Sequence, residues 1–294
     1  ALSVEAIAAC LEDPFRLLVS GDQTVLPRQR TLRALIDWSH DLLPDAERLL
    51  FRRLAVFAGG FTLEAAEAVG GSDGLDAAEV LDLLAHLVEK SLVIMELGGQ
   101  RYRMLDTVRH YAQERLDASA DKAGAQARHF AHYLQVAEQA RAGLVGAEQG
   151  TWLARLDHER ENLLAAHGRC DGADSGACEI GLRLVHALRP YWLNRGLLAL
   201  GFRITVEALD REGAQKRDQL RYRGLSSAGY LAYFMGSYTQ SRAYLQEGLG
   251  IARELGDAHS AELLLPLGMA CQGEGDVVAD CGERRLRSEY RPRL

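Results

Sequence analysis

Between residues 76 and 104 the spacing of apolar residues changes period, and this limits the fold more than any other feature of the sequence. Over Asp76 to Lys90, Val80, Leu81, Leu84, Leu87 and Val88 fall on one side of a helix, with Glu79, Asp82, His86 and Glu89 on the other. Leu92-Val93-Ile94-Met95 then reads as a short strand, Gly98-Gly99 as a turn, and Arg101-Tyr102-Arg103-Met104 as the returning strand. Three helical segments come first. Thr31 to Leu43 carries Leu32, Leu35, Ile36, Leu42 and Leu43 on one stripe; Asp45 to Phe57 follows Pro44; a third restarts after Gly59-Gly60 with Thr62 as its cap. After the hairpin, Val108, Tyr111, Ala112 and Leu116 mark another helix, with Asp106 as its expected cap. Helices followed by a two-stranded hairpin are the arrangement of a winged helix, assigned here to residues 26–120.

From Asp121 onward the pattern is helical with short glycine-punctuated breaks, predicting helices over 123–142, 148–168, 177–194, 197–210, 215–235 and 239–255. Gly229 and Gly236 recur as Gly268 and Gly275, 39 residues later. Small residues at such positions let paired helices approach closely, and Tyr238, just after the turn, would fill the remaining gap; this is the logic of a tetratricopeptide-like array. The expected fold is therefore mainly α: a winged helix with a small β-hairpin, then a tetratricopeptide-like α-superhelix over 121–275. Residues 276–294 lose the apolar stripe, turn basic and end Arg291-Pro292-Arg293-Leu294, reading as an atypical, disordered tail, as from a truncated or frame-shifted array.

Charge and missing motifs exclude several functions. Residues 1–120 hold 12 Lys+Arg against 19 Asp+Glu, whereas 121–294 hold 22 of each. The predicted recognition helix, 76–90, offers mainly acidic groups and a single lysine, Lys90, while Arg101, Arg103 and Arg109 form a small basic cluster on or near the wing. Affinity for DNA comes largely from neutralising phosphates, so these four residues are weak DNA-contact candidates and DNA is not expected as a partner of this segment. A phosphate-binding loop needs Gly-Lys-[Ser/Thr], and none of the three lysines, Lys90, Lys122 and Lys216, follows a glycine. The acid-ended run Leu92 to Glu96 fits a wing strand as well as a nucleotide-site strand. His129 and His132 share a helix face without a paired ligand set, Cys170 and Cys178 read as unpaired thiols, and no Gly-x-Ser-x-Gly elbow occurs. No catalytic residue, metal ligand or cofactor is therefore assigned, and the chain is expected not to be an enzyme. No run approaches the roughly 18 apolar residues that cross a bilayer, no basic head precedes an apolar N-terminal run, and five cysteines form no CxxC, so a cytoplasmic, membrane-free setting is expected.

Several runs resemble one family. They are Leu26-Pro27-Arg28-Gln29-Arg30-Thr31-Leu32 through Leu42-Leu43, Phe51 through Phe57-Ala58-Gly59-Gly60-Phe61 to Ala66, Leu84 through Ser91-Leu92-Val93, Tyr102 through Tyr111-Ala112, and Trp152-Leu153 through Asn162-Leu163. Together they are similar to the winged-helix and repeat parts of STAND/NB-ARC regulators, the LuxR-like and AfsR-like bacterial transcription regulators. The resemblance implies that residues 1–25 end an NB-ARC-type helical domain, that the winged helix restrains the protein, and that the repeats receive a protein or small-molecule signal. It also implies a nucleotide-binding domain, in cis or in trans, as partner; ATP or ADP would bind there and not on this chain. Met104-Leu105-Asp106 aligns with the family's Met-His-Asp tripeptide, which makes Met104 and Asp106 candidate nucleotide-sensing residues. Leu105 stands where the family's histidine donates to phosphate, and it has no proton to give. A DNA-binding winged helix and an inactive scaffold are the rival readings.

Overall fold

The computed structural model describes residues 27–72, 74–169, 175–256 and 261–273. The expected helical-domain end at 1–25 and the tail at 276–294 lie outside the described residues. The fold is mainly helical, with a small three-stranded sheet. Two compact units divide between His132 and Tyr133.

The first unit contains α1 (Pro27–Asp41), α2 (Asp45–Leu54), β1 (Phe61–Thr62), α3 (Leu63–Gly70), a 3-10 turn (Ala77–Glu79), α4 (Val80–Glu89), β2 (Ile94–Met95), β3 (Arg101–Arg103) and α5 (Asp106–Asp117). Leu50, Phe51, Leu54, Phe57, Val69, Val80, Leu84, Leu87 and Tyr111 form its core, each no more than 1% exposed. Thr62 caps α3, accepting from Ala65 N at 3.2 Å, as its position before the apolar run predicts. The segment read as one helix over 76–90 is a 3-10 turn followed by α4. Asp76 and Glu79 close a capping box around the turn, which sets where the α-helix begins.

The hairpin turn at Gly98-Gly99 has φ of +111° and +72°, values that side-chain-bearing residues rarely adopt. The sheet order is β1-β3-β2, all antiparallel, with Phe61 opposite Tyr102 and Met95 opposite Tyr102 on the other side. Phe61 stacks on Phe57 at 4.5 Å and lies near Tyr102 at 6.1 Å, so this third strand ties the wing to the helical core.

Two local expectations need correction. Ile36 and Leu43 of the first stripe are buried, but Leu32, Leu35 and Leu42 are exposed, because the apolar arc is wider than the strip of core it meets. Asp106 does not cap its helix. Leu105 occupies the cap position without a side-chain bond, and Asp106 is the first helical residue, exposed, where its charge complements the helix N-terminus.

The long helix α6 (Lys122–Gly143) starts in the first unit, and the division falls within it, eleven residues or so beyond the Asp117–Asp121 break. Its opening turns are fastened to the winged helix by side chains. Arg53, 1% exposed, donates to both Asp121 carboxylate oxygens, at 2.7 and 3.1 Å, and to the Gly70 and Ser72 carbonyls, each at 2.6 Å. Arg128 donates to Val69 O at 2.8 Å, and buried His129 packs edge-on against Phe57.

The second unit contains the rest of α6 and α7 (Gln149–Gly168), α8 (Ser175–Arg195), α9 (Leu198–Asp210), a 3-10 turn (Glu212–Ala214), α10 (Gln219–Phe234), α11 (Tyr238–Glu254) and α12 (Ala261–Gly273). Neighbouring helices pack as a repeat-like stack: α8 against α9 and α10, α10 against α11, α11 against α12. The close approach expected at Gly229 is present, since a Cβ there would lie 2.5 Å from Leu245 Cγ. Ser241 Oγ donates to Gly229 O at 2.8 Å across the same contact. Tyr238 packs elsewhere than expected: Leu245 occupies the space at Gly229, and the Tyr238 ring lies against Gly273 of α12, where a Cβ would meet it at 2.7 Å. Among the described residues, no helix is long and apolar enough to cross a membrane.

Candidate functional site

In the first unit the outward sides of α4, the wing and α1 are the parts of the winged helix left exposed. The hydrophobic spacing of α4 buries Val80, Leu84 and Leu87, which leaves Leu81, Asp82, Ala85, His86 and Glu89 outward. That face is acidic and apolar. Lys90, just past its end, is an ion-pair partner of Glu47 on α2, and His86 Nδ1 lies 3.1 Å from the same carboxylate. Glu47 is itself buried, so Lys90 neutralises an interior charge and its ammonium is committed there.

The candidate basic residues are dispersed in role. Arg101 and Arg103 share one face of β3, opposite buried Tyr102, as strand alternation requires. Arg101 Nη2 donates to Gly60 O at 2.8 Å, and Arg103 Nε lies 3.9 Å from Glu96 Oε1. Arg109, on α5, is half-buried, with Nε lacking a hydrogen-bond partner. Of the two tripeptide candidates, Met104 is buried at 7% exposure and belongs to the packing below the wing, whereas Asp106 is exposed. Sequence reasoning missed a second exposed apolar patch. Leu35 and Trp38 on α1, and Leu42 just past its end, are 54%, 64% and 60% exposed. A spacing of three puts Leu35 and Trp38 on one side of the helix, while Arg33 and Asp37 on another side pair with Glu114 and Arg115 of α5.

In the second unit, α6, α8, α10 and α12 line a cavity of about 410 Å³. Arg141, Arg183 and Arg223 stand on its wall with Glu138 as the acidic counterpart; Leu182, Leu220 and Leu263 supply apolar surface. Arg183 makes a bidentate pair with Glu138 at 2.8–3.0 Å. Arg141 Nη1 donates to the His186 carbonyl at 2.7 Å. Burial, and then the charges of Arg141, Arg189 and Arg223, push the His186 imidazole down to about 3, so it is neutral at physiological pH. No motif betrays this cluster in the sequence, because its members come from helices far apart in the chain. Among the described residues, no group of three or more His, Cys, Asp and Glu could hold a metal ion.

Comparison with known proteins agrees with the geometry of the first unit. Residues 43–117 match the model of a winged helix-turn-helix domain. The chain is 38% identical over 260 residues to proteins of Mycobacterium tuberculosis and Mycobacterium bovis named "Putative HTH-type transcriptional regulator", covering 85% of this chain and 29% of theirs. It is 41% identical over 148 residues to an uncharacterized Mycobacterium tuberculosis protein, covering 49% of this chain and 38% of that one. A crystal structure of a signal transduction ATPase with numerous domains, with a tetratricopeptide repeat sensor, from Pyrococcus horikoshii aligns at a TM-score of 0.34. The identity is 15%, over 97% of this chain and 50% of that one. The chain thus spans less than a third of the length of the HTH-type relatives. Residues 43–117 form a winged helix-turn-helix domain, within a chain homologous to one part of these mycobacterial proteins.

Proposed function

We propose that this chain is a non-catalytic regulatory part of an HTH-type transcriptional regulator of the STAND/NB-ARC kind, working in the cytoplasm. Its winged helix docks on a nucleotide-binding domain, in cis or in trans, and its helical repeats receive a protein or small-molecule signal. ATP or ADP is held by that other domain. The observation that carries the docking role is the character of the exposed residues of the winged helix: α4 turns Leu81, Asp82 and Glu89 outward, and Leu35 and Trp38 of α1, with Leu42 just past its end, are exposed. An acidic and apolar surface suits a protein partner and repels phosphates. A signal that binds one arrangement of the repeats more tightly shifts the equilibrium of the docked winged helix by its difference in affinity, about 1–3 kcal/mol for typical coupling.

A second reading is DNA binding by the winged helix itself. It is favoured by the helix-turn-helix match and by Arg101 and Arg103 side by side on the wing. Two titrations separate the readings. The purified chain is titrated with 30-base-pair duplex DNA across salt concentrations, and with a STAND-type nucleotide-binding domain from the same genome. The docking reading expects saturable 1:1 binding to the domain, lost in Trp38→Asp, and no saturable DNA binding at physiological salt. Micromolar, saturable DNA binding at that salt overturns it in favour of the second reading.

A further inference from the structure

Between helices of the repeat-like stack, the 410 Å³ cavity has a size typical of small-molecule sites, about 300–1,000 Å³, and its wall charge is one-sided. Three guanidiniums face one carboxylate. Arg183 satisfies Glu138 in a bidentate pair at the exposed rim, so that carboxylate does not serve Arg223. Arg141 spends one nitrogen on the His186 carbonyl. The half-buried Arg223 side chain makes no hydrogen bond or ion pair among the described residues, although its carbonyl accepts from Ser227 Oγ. A guanidinium that is half withdrawn from water without a counter-ion is a cost the fold bears for no structural return.

Other groups around the cavity add to the positive field. Arg189 donates to Ser226 Oγ at 3.3 Å and lies over the Tyr230 ring at 4.5 Å, next to the cavity lining. His186 is kept uncharged by burial and by the surrounding arginines, so its ring is a neutral hydrogen-bonding group at this wall, with Nδ1 3.2 Å from Ser227 Oγ. Leu220 and Leu263 contribute an apolar side. The cavity therefore combines an unspent planar donor fork, neutral polar groups and an apolar patch, the combination by which arginine sites recognise carboxylates and phosphates.

We propose that this cavity is a binding site for a small organic anion, whose carboxylate or phosphate is held by Arg223 and Arg141 and whose apolar part lies against Leu220 and Leu263. The proposal rests on the reading of the helical unit as the signal-receiving part, and names the chemical class of its ligand. The repeats then respond to an anionic metabolite, not to a sugar or a cation.

The test is isothermal titration of the purified chain at low ionic strength with citrate, with inorganic pyrophosphate, and with sorbitol as a neutral probe of similar size. Saturable binding of citrate or pyrophosphate is expected, and the stronger of the two identifies the anion type; sorbitol gives no heat. Arg223→Glu weakens that binding at least tenfold, whereas Arg253→Glu, which changes the net charge equally at an exposed α11 position outside the cavity lining, leaves it unchanged. If Arg223→Glu does not fold, judged by far-ultraviolet circular dichroism, Arg223→Gln is measured in its place and is expected to weaken binding by the same criterion. Absence of saturable anion binding, or equal weakening by Arg253→Glu, overturns the proposal. Neither DNA nor a nucleotide-binding domain is present, so failure here is distinct from failure of the docking reading, which is measured with those partners.

Discussion

Replacing Asp121 with alanine strips the carboxylate from a guanidinium that is 1% exposed. Breaking a buried ion pair by removing one partner costs about 3–5 kcal/mol. The lower end applies here, because Asp121 is 15% exposed and Arg53 keeps its bonds to the Gly70 and Ser72 carbonyls. For a unit of about 130 residues, an unfolding entropy near 2.1 cal/mol/K per residue converts about 3 kcal/mol into a fall of roughly 10 °C in Tm. The assay is hydrogen exchange read by mass spectrometry under increasing denaturant, following peptides of α2 and α3 for the first unit and of α10 and α11 for the second. The loss should fall on the first set.

Arg53→Met with Asp121→Leu should lose less than Asp121→Ala: no buried charge is then stranded, and the Gly70 and Ser72 carbonyls that lose Arg53 still accept from Ser72 N and Leu75 N. The pH dependence has a definite sign. Burial alone would raise the Asp121 carboxyl, but the hydrogen bond from Arg53 and the charges of Arg53, Arg128 and Arg52 outweigh it and hold it below its ordinary 3.8. Its contribution is therefore complete above that unfolded value and is lost as pH falls through the lower native one. A loss below about 1 kcal/mol in Asp121→Ala, or a double variant no milder than the single one, would refute the reasoning.

Gly229→Leu places a side chain where even a Cβ lies 2.5 Å from Leu245, and should destabilise the second unit by about 1–3 kcal/mol in urea denaturation. Thr62→Ala removes the cap bond to Ala65 N and should cost about 1 kcal/mol, read from the first unit's transition. The His186 ring, lowered to about 3 from 6.5, should show no NMR titration between pH 8 and 5. Because its native value is depressed, the second unit should lose stability as pH falls from about 6.5 toward that native value, and His186→Gln should flatten this dependence in thermal melts.

Much of the architecture could be read from the chain because it depends on neighbours in sequence. The helices of the second unit, the hairpin around Gly98-Gly99 and the Thr62 cap are set by the spacing of apolar residues within a few turns and by the conformations glycine and threonine favour. The contact at Gly229 was also foreseeable, since a 39-residue recurrence of glycines marks where helices must approach. The two-residue strand β1 was not. Phe61-Thr62 is too short to show alternation, and its partner lies 41 residues away at Tyr102.

Burial and charge pairing belonged to the tertiary structure alone. A stripe of leucines predicts that α1 packs, but only its neighbours decide that Ile36 is covered while Leu35 and Trp38 are left outside. Lys90 looked available for a phosphate until the fold set Glu47 against it, and Arg53 met Asp121 across 68 residues. The arginines of the cavity come together from α6, α8 and α10 in the same way. Periodicity is local information carried by the backbone. Which charge meets which, and which apolar face stays wet, depends on long-range packing that no short window of sequence contains.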